Sequence, residues 1–249
     1  MSGGVRRIDL SADLGEAESD QHVAAEEGLW PLITSANVAC GGHAGDLASM
    51  SSAIERAVLY GVAIGAHPSY PDRANFGRIS LQMKDRELID SLAEQIGAFH
   101  RLAAHRGVAL RHVKAHGALY NDAHRDFGLA TALIEAIRLV DPSLAIVASA
   151  TSKMRQAAGR AGTAVICEAF ADRRYRADGS LVPRNEPDAL LTNVNEAAFQ
   201  AASLVETGTL VAQNGQRIEI EFDTLCVHAD MQDAVARVKA IRASLGMTS

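Results

Sequence analysis

The feature that most constrains this chain is a repeated alternation of short apolar strands and helical segments, with polar residues where each strand ends. The clearest repeat covers 35–46, where a strand leads into Cys40, two glycines and His43 before Asp46 precedes a helical run. About seven such units follow one another at intervals of roughly 25–50 residues. Units of this kind predict a parallel sheet covered by helices. Because the units are numerous and the composition does not change along the chain, a barrel is favoured over an open sheet.

We therefore predict an α/β protein, with one domain over 1–249 folded as a distorted, TIM-like (β/α) barrel of about seven strands. Hydrophobic patterns and turn signals place its strands at 7–13, 33–39, 62–66, 109–115, 144–148, 164–170 and 224–228. Segments 210–213 and 217–221 flank Asn214 and Gly215, a dipeptide typical of a β-hairpin. Helices are expected between the strands, and two long polar loops are expected over 67–80 and 171–184.

Composition narrows the classes of function. The chain of 249 residues has a net charge of −6, which disfavours a nucleic-acid partner or an anionic membrane surface. Its three cysteines are far apart and odd in number, which is typical of a reducing compartment. No apolar leader is visible at 1–7 and no apolar run reaches 18 residues, so we expect a cytoplasmic protein with no membrane span. Familiar phosphate-binding and dinucleotide-binding glycine motifs are absent from the sequence.

Polar residues at the predicted strand ends are the candidates for function, because the loops after the strands of a (β/α) barrel meet on one face. They are Asp13, Glu16, His43, Asp46, His67, Lys114, His116, Glu168, Asp172, Arg173, His228 and Asp230. Four of them are histidines, which titrate near neutral pH and often bind metals. One such histidine alone would indicate a structural residue, whereas four at equivalent positions favour a shared site. The remaining histidines are expected at solvated positions on helices or loop edges: His22, His100, His105, His112 and His124.

Lys114 and Glu168 are unusual because both lie within apolar strands. An ion pair between them would be structural, since a buried charge is costly unless it is paired. Alternatively, Lys114 binds a substrate carboxylate and Glu168 acts as a base, and the sequence leaves both interpretations open. Asp46 and Asp230 are likewise open to interpretation as helix caps. Cys226 shows no activating neighbour besides nearby histidines, which disfavours a nucleophilic role.

Short motifs in one fixed order extend over most of the chain. They read DL–DLGE at 9–16, NVACG–HAGD at 37–46, GAHP at 65–68, FGR at 76–78, QIGA at 95–98, HGALYN at 116–121, FADR–Y at 170–175 and CVH at 226–228. On these motifs the chain resembles the LamB/YcsF lactam-utilisation family from about residue 8 to 245. It departs from the family pattern in packing and backbone positions while keeping the charged residues. The departures are at Ser11, Ala12, Gly42, Ile79, Ala115 and Ala229.

The resemblance implies a distorted barrel related to polysaccharide deacetylases and some glycoside hydrolases. It also implies opening of the cyclic amide of 5-oxo-L-proline to L-glutamate, driven by ATP hydrolysis, in which an A subunit works with separate B and C subunits. ATP would be a co-substrate, and a divalent metal is left open. We predict catalytic roles for Asp13, His43, His67, Lys114, His116, Glu168 and His228. We predict substrate-binding roles for Glu16, Asn37, Asp46, Arg78, Asn121, Asp172, Arg173 and Asp230.

Three functions are compatible with these residues. In ATP-coupled lactam opening, Lys114, Arg173 or Arg78 holds carboxylate and phosphate charge, while a carboxylate or histidine activates water. In a metal-dependent amidohydrolase or deacetylase, Asp13 and two histidines hold an ion, although no closely spaced histidine pair identifies the ligands. In a non-catalytic subunit, the same pocket only binds the substrate for a partner.

Overall fold

Seven parallel strands close into a barrel at the centre of the computed structural model, which describes residues 8–17, 19–184, 186–231 and 233–247. The barrel strands are β1 (Asp9–Leu14), β2 (Ser35–Ala39), β3 (Ala63–His67), β4 (His112–Val113), β5 (Ala145–Ala148), β6 (Val165–Phe170) and β9 (Thr224–Val227). Strand β9 pairs with β6 on one side and with β1 on the other, which closes the barrel. The predicted (β/α) barrel is therefore confirmed. The predicted strand start at Arg7, and the expectation about a leader at 1–7, lie outside the described residues.

Helices surround the barrel and bury their apolar faces against it. Those described are α1 (Asp20–Leu29), α2 (Leu47–Tyr60), α3 (Asp85–His105), α4 (Gly117–Arg125), α5 (Phe127–Val140), α6 (Lys153–Ala161), α7 (Val194–Thr207) and α8 (Ala234–Ser244). Most begin at a side chain that accepts hydrogen bonds from free N–H groups of the first turn, as Ser152 does for α6 and Asn193 for α7. Among the described residues, no helix combines the length and apolarity needed to cross a bilayer.

The predicted hairpin and both long loops are present. Strands β7 (Thr209–Val211) and β8 (Arg217–Glu219) pair antiparallel, and Gly215 in their turn has a φ of 84°, which glycine tolerates without strain. The first long loop contains only a short 3₁₀ turn, Arg73–Asn75. The second contains only isolated bridges, such as the one between Tyr175 and Leu181. Both loops rise beside the carboxyl ends of the barrel strands and form part of a cavity wall there.

Two expectations were wrong. Helix α4 was not predicted, because it begins at Gly117 and spans only nine residues directly after polar strand-end residues. The solvated position expected for His112 is also wrong, since this residue lies on β4 and is only 2% exposed. Its ring occupies the space that a side chain at Gly65 on the neighbouring strand β3 would fill.

Gly65 offers a direct test of this packing. A Cβ at this position would lie 2.5 Å from the carbonyl oxygen of His112, and it would also overlap the histidine ring. We expect Gly65→Ala to lower the free energy of unfolding by about 1–3 kcal/mol, the usual cost of overpacking a buried site. Urea unfolding followed by circular dichroism measures this. Gly159→Ala is the matched control: it lies on α6 with open space around it, and we expect it to stabilise by about 0.5–1 kcal/mol. Equal stability of the two variants would contradict the close contact between Gly65 and His112.

Candidate active site

A cavity of about 540 Å³ opens at the carboxyl ends of the barrel strands. Ten predicted site residues line it: Asp13, Glu16, His67, Arg78, Lys114, His116, Asn121, Arg173, His228 and Asp230. Four more are buried just behind the wall and contact those residues: Asn37, His43, Glu168 and Asp172. Asp46 does not join them, because its carboxylate accepts a hydrogen bond from the Ser49 N–H and caps α2. Convergence of strand ends thus brings together most of the residues that the sequence indicated.

Lys114 forms the charged centre of the cavity floor. Its buried Nζ lies 2.9 Å from Asp13 Oδ1 and 2.7 Å from Glu168 Oε1. Although burial opposes the charged form, Asp13 is the leading influence that raises the pKa of Lys114 well above its usual value. Nζ also donates to the Cys226 sulfur at 3.2 Å. The ion pair that was one of the two interpretations of Lys114 and Glu168 is present, and the same ammonium group also faces the cavity.

Asp13 is kept ionised by its surroundings. Burial works against the carboxylate, but Lys114 and then His67 hold the pKa of Asp13 well below its usual range. Asn37 Nδ2 donates to Asp13 Oδ1 at 2.8 Å, so the Asn37 oxygen accepts a hydrogen bond from His112 Nε2, also at 2.8 Å. A buried chain of hydrogen bonds from β4 through β2 to β1 therefore orients this carboxylate, which explains why the unexpected burial of His112 matters.

Three histidines surround one carboxylate oxygen of Glu16. Its Oε1 lies 2.8 Å from His43 Nε2, 3.2 Å from His116 Nδ1 and 3.5 Å from His67 Nε2. Burial raises the cost of the charge, but the contacts with His116 and His43 hold the pKa of Glu16 well below its usual range. Burial also lowers the pKa of His43 to about 4, so this imidazole is neutral at pH 7. The four side chains come from loops after β1 and β2, from the end of β3 and from the segment after β4.

His228 and Asp172 form a separate pair on the segments that follow β9 and β6, two neighbouring strands of the barrel. His228 Nδ1 lies 2.7 Å from Asp172 Oδ1, and the His228 backbone N–H donates to Asp172 Oδ2 at 2.8 Å. The carboxylate therefore keeps the proton on Nδ1 and leaves the Nε2 lone pair available. The Phe170 ring lies nearly parallel to the imidazole, at an angle of 14°. His228 is thus an oriented imidazole in contact with the cavity.

Arginines dominate the upper wall of the cavity. Asp230 Oδ2 accepts hydrogen bonds from Arg78 at 3.1 Å and from Arg184 at 2.8 Å, so one carboxylate faces two guanidinium groups. Arg125 also lines this wall. Neither Arg184 nor Arg125 was among the predicted site residues. The several arginines in the loop 171–184 are the sequence signal from which Arg184 could have been predicted.

Unlike Arg78 and Arg184, Arg173 has no carboxylate of the described residues within ion-pair distance of its buried guanidinium. One nitrogen donates to the Val182 carbonyl oxygen at 2.7 Å, whereas Nε has no hydrogen-bond partner in the described part of the chain. Burial and the nearby Arg184 lower the pKa of Arg173 to about 10, which still leaves it charged at pH 7. A buried cation without a counter-ion in contact with a cavity is a site for an anion.

Fold and site together define a (β/α) barrel with a charged small-molecule cavity at the carboxyl ends of its strands. The chain belongs to the LamB/YcsF family, whose profile matches residues 8–249. A relative in Bordetella pertussis, named as the A subunit of 5-oxoprolinase, is 42% identical over 238 residues, which cover 96% of this chain and 94% of the relative. A protein of the same name in Methylococcus capsulatus is 45% identical over 240 residues, covering 96% of this chain and 92% of the relative.

A solved structure supports the same assignment. The lactam utilization protein of Thermus thermophilus superposes with a TM-score of 0.89 at 36% sequence identity. The match covers 96% of each chain. The resemblance noted on the short sequence motifs is therefore confirmed at the level of the family and of the fold.

Proposed function

We propose that this chain is the A subunit of an ATP-dependent 5-oxoprolinase, which opens the cyclic amide of 5-oxo-L-proline to L-glutamate together with separate B and C subunits. The names of relatives at 42% and 45% identity support the assignment. The observation that carries it is the Arg173 guanidinium, which has no ion-pair partner in the described part of the chain and lines the same cavity as the buried Lys114. Such a cavity fits a small amide that also bears a carboxylate.

Substrate binding follows from the charges of the cavity wall. Arg173 binds the substrate carboxylate, because its guanidinium has no counter-ion among the described residues and offers hydrogen-bond donors in a fork geometry. The cavity is larger than a five-membered lactam needs, and Arg78, Arg125 and Arg184 line the remaining space. These arginines accommodate phosphate charge from ATP as the co-substrate. Asp230 pairs with two of them and Asp122 also lines the cavity, so three arginines face two carboxylates and the wall keeps a net positive charge.

Coupling to ATP overcomes the low reactivity of the amide. The lactam oxygen attacks the γ-phosphorus, the bond to the β-phosphate oxygen breaks, and ADP leaves. Water then adds to the lactam carbon with loss of a proton, and the ring C–N bond breaks as the nitrogen takes up a proton. A second water hydrolyses the acyl phosphate to the carboxylate and inorganic phosphate. One ATP and two waters are consumed for each glutamate formed.

Residues of this chain supply three functions in these reaction steps. Lys114 places its ammonium group at the cavity floor and stabilises negative charge on the phosphoryl group that is transferred to the lactam oxygen. His228 accepts the proton of the attacking water at Nε2, because Asp172 holds the other ring nitrogen protonated. Asp13 and Glu168 keep Lys114 charged and in place.

Titration calorimetry with 5-oxo-L-proline and with 2-pyrrolidinone tests the substrate assignment. The second compound has the same lactam ring without the carboxylate. We expect one 5-oxoproline per chain and at least roughly tenfold weaker binding of 2-pyrrolidinone, since hydrogen bonds to a charged group are each worth about 1.5–3 kcal/mol. Equal affinity for both compounds, or no binding of either in the presence of the B and C subunits, would contradict the assignment.

A further inference from the structure

Three atoms of metal-ligand type form a nearly equilateral triangle on the cavity floor. Glu16 Oε1 lies 3.2 Å from His116 Nδ1 and 3.5 Å from His67 Nε2, and the two histidine nitrogens lie 3.2 Å apart. Tetrahedral coordination with bonds of about 2.0–2.1 Å separates neighbouring ligand atoms by about 3.3 Å. The triangle therefore has the dimensions of one face of a tetrahedral site.

Backbone carbonyls determine which ring nitrogens face the triangle. His67 Nδ1 lies 2.7 Å from the Lys114 carbonyl oxygen, and His116 Nε2 lies 2.9 Å from the Phe76 carbonyl oxygen. A carbonyl oxygen only accepts, so both of these nitrogens carry the ring proton. In the neutral form of each ring, His67 Nε2 and His116 Nδ1 are consequently lone pairs, which lie 3.2 Å apart and face the Glu16 carboxylate. A metal ion or a shared proton would satisfy these groups, and carbonyl partners on the outer nitrogens are typical of histidines that bind metals.

His43 has a different role from His67 and His116. Its ring is stacked on the ring of His116, with centroids 3.6 Å apart and an angle of 2° between the planes. A metal lies close to the plane of an imidazole that binds it, and two parallel rings at this spacing share no such position. His43 also does not line the cavity, whereas Glu16, His67 and His116 do. It donates from Nε2 to Glu16 Oε1 and orients that carboxylate.

We propose that Glu16 Oε1, His67 Nε2 and His116 Nδ1 bind one divalent first-row transition ion, with Zn²⁺ as the first candidate. Two imidazoles and one carboxylate form a donor set that suits such ions, and three protein ligands leave a fourth position open to the cavity. A bound ion there would supply Lewis-acid polarisation of a carbonyl or phosphate oxygen. The site stands independently of the proposed function, because it rests on ligand geometry and not on the identity of the substrate.

Metal binding itself is the test. The full chain, treated with chelator and dialysed, is titrated with Zn²⁺ by calorimetry and with Co²⁺ by visible absorption, which reports the coordination number. We expect one ion per chain and a Co²⁺ spectrum of four-coordinate type. Loss of a residue that only orients a ligand costs roughly 10–100-fold in affinity, so Glu16→Gln and His116→Gln are expected to weaken Zn²⁺ binding by at least about 100-fold. His124→Gln, a half-buried histidine outside the triangle, is the matched control and is expected to bind as wild type.

Thermal unfolding of each variant shows whether it is folded. If the variants do not fold, X-ray absorption of the Zn²⁺-loaded wild-type chain decides the matter: two imidazole nitrogens with oxygen ligands support the site. A sulfur ligand or a different number of imidazoles overturns it. The site is also overturned if the wild-type chain binds neither ion, which would mean that a shared proton replaces the metal, or if the folded variants bind as tightly as wild type. None of these outcomes depends on lactam turnover.

Discussion

Replacing Lys114 with methionine is expected to reduce glutamate formation from 5-oxoproline by about a thousandfold, because it removes the charge that stabilises the phosphoryl group on the lactam oxygen. The same change is expected to lower the free energy of unfolding by about 3–5 kcal/mol, since it removes the ammonium partner of the buried Glu168 carboxyl group. Steady-state turnover in the assembled enzyme and urea unfolding of the isolated chain measure the two effects.

A double variant separates catalysis from stability. In Lys114→Met with Glu168→Gln the buried charge is removed with its partner, so we expect most of the lost stability to return while activity stays near the level of the single variant. Asp13 tolerates the change because its side chain is 15% exposed and keeps the hydrogen bond from Asn37. A double variant that is both stable and active would mean that Lys114 has only a structural role.

Replacing Arg173 with glutamine is expected to raise KM for 5-oxoproline by about 100-fold while kcat changes little. The guanidinium makes no ion pair within the described part of the chain, so its charge is available to the substrate carboxylate, and losing two charged hydrogen bonds costs about 3 kcal/mol. The preference for 5-oxoproline over 2-pyrrolidinone should fall by a similar factor. Steady-state kinetics with both compounds give these values.

Arg174 provides the matched control for that substitution. It is the next residue in the chain, but its guanidinium lies 3.4 Å from Glu196 and outside the cavity. Arg174→Gln is expected to leave KM for both compounds unchanged. An equal rise in KM in the two variants would indicate a general disturbance of the loop and would remove Arg173 from the substrate site.

Much of the fold follows from local patterns in the sequence. Apolar strands alternating with capped helices predicted the barrel, because each unit buries its apolar face only against its neighbours. Helix α4 escaped prediction because it begins at Gly117, whose φ of 56° belongs to the left-handed region and not to a usual helix start. The burial of His112 was also not predicted, since the space for its ring arises from Gly65 on a neighbouring strand. Such packing between distant segments has no local signal.

The sequence predicted which residues form the candidate site better than it predicted the contacts between their side chains. Strand ends converge on one face of any barrel, which brought together Asp13, Lys114 and His228 from three distant parts of the chain. Ring orientation was not predictable, because the protons of His67 and His116 are placed by backbone carbonyls that only the fold brings near. Asp46 satisfied the same strand-end pattern, yet its carboxylate caps a helix.

Simultaneous measurement of glutamate and ADP from 5-oxoproline and ATP is the most direct test of the proposed activity. The chain is assayed alone and then after assembly with its own B and C subunits, with co-elution of the three chains as proof of assembly. We expect equal amounts of glutamate and ADP in the complete assembly, no glutamate from the chain alone, and loss of glutamate when this chain carries Lys114→Met with Glu168→Gln. An assembled wild-type complex that forms no glutamate would contradict the proposed activity.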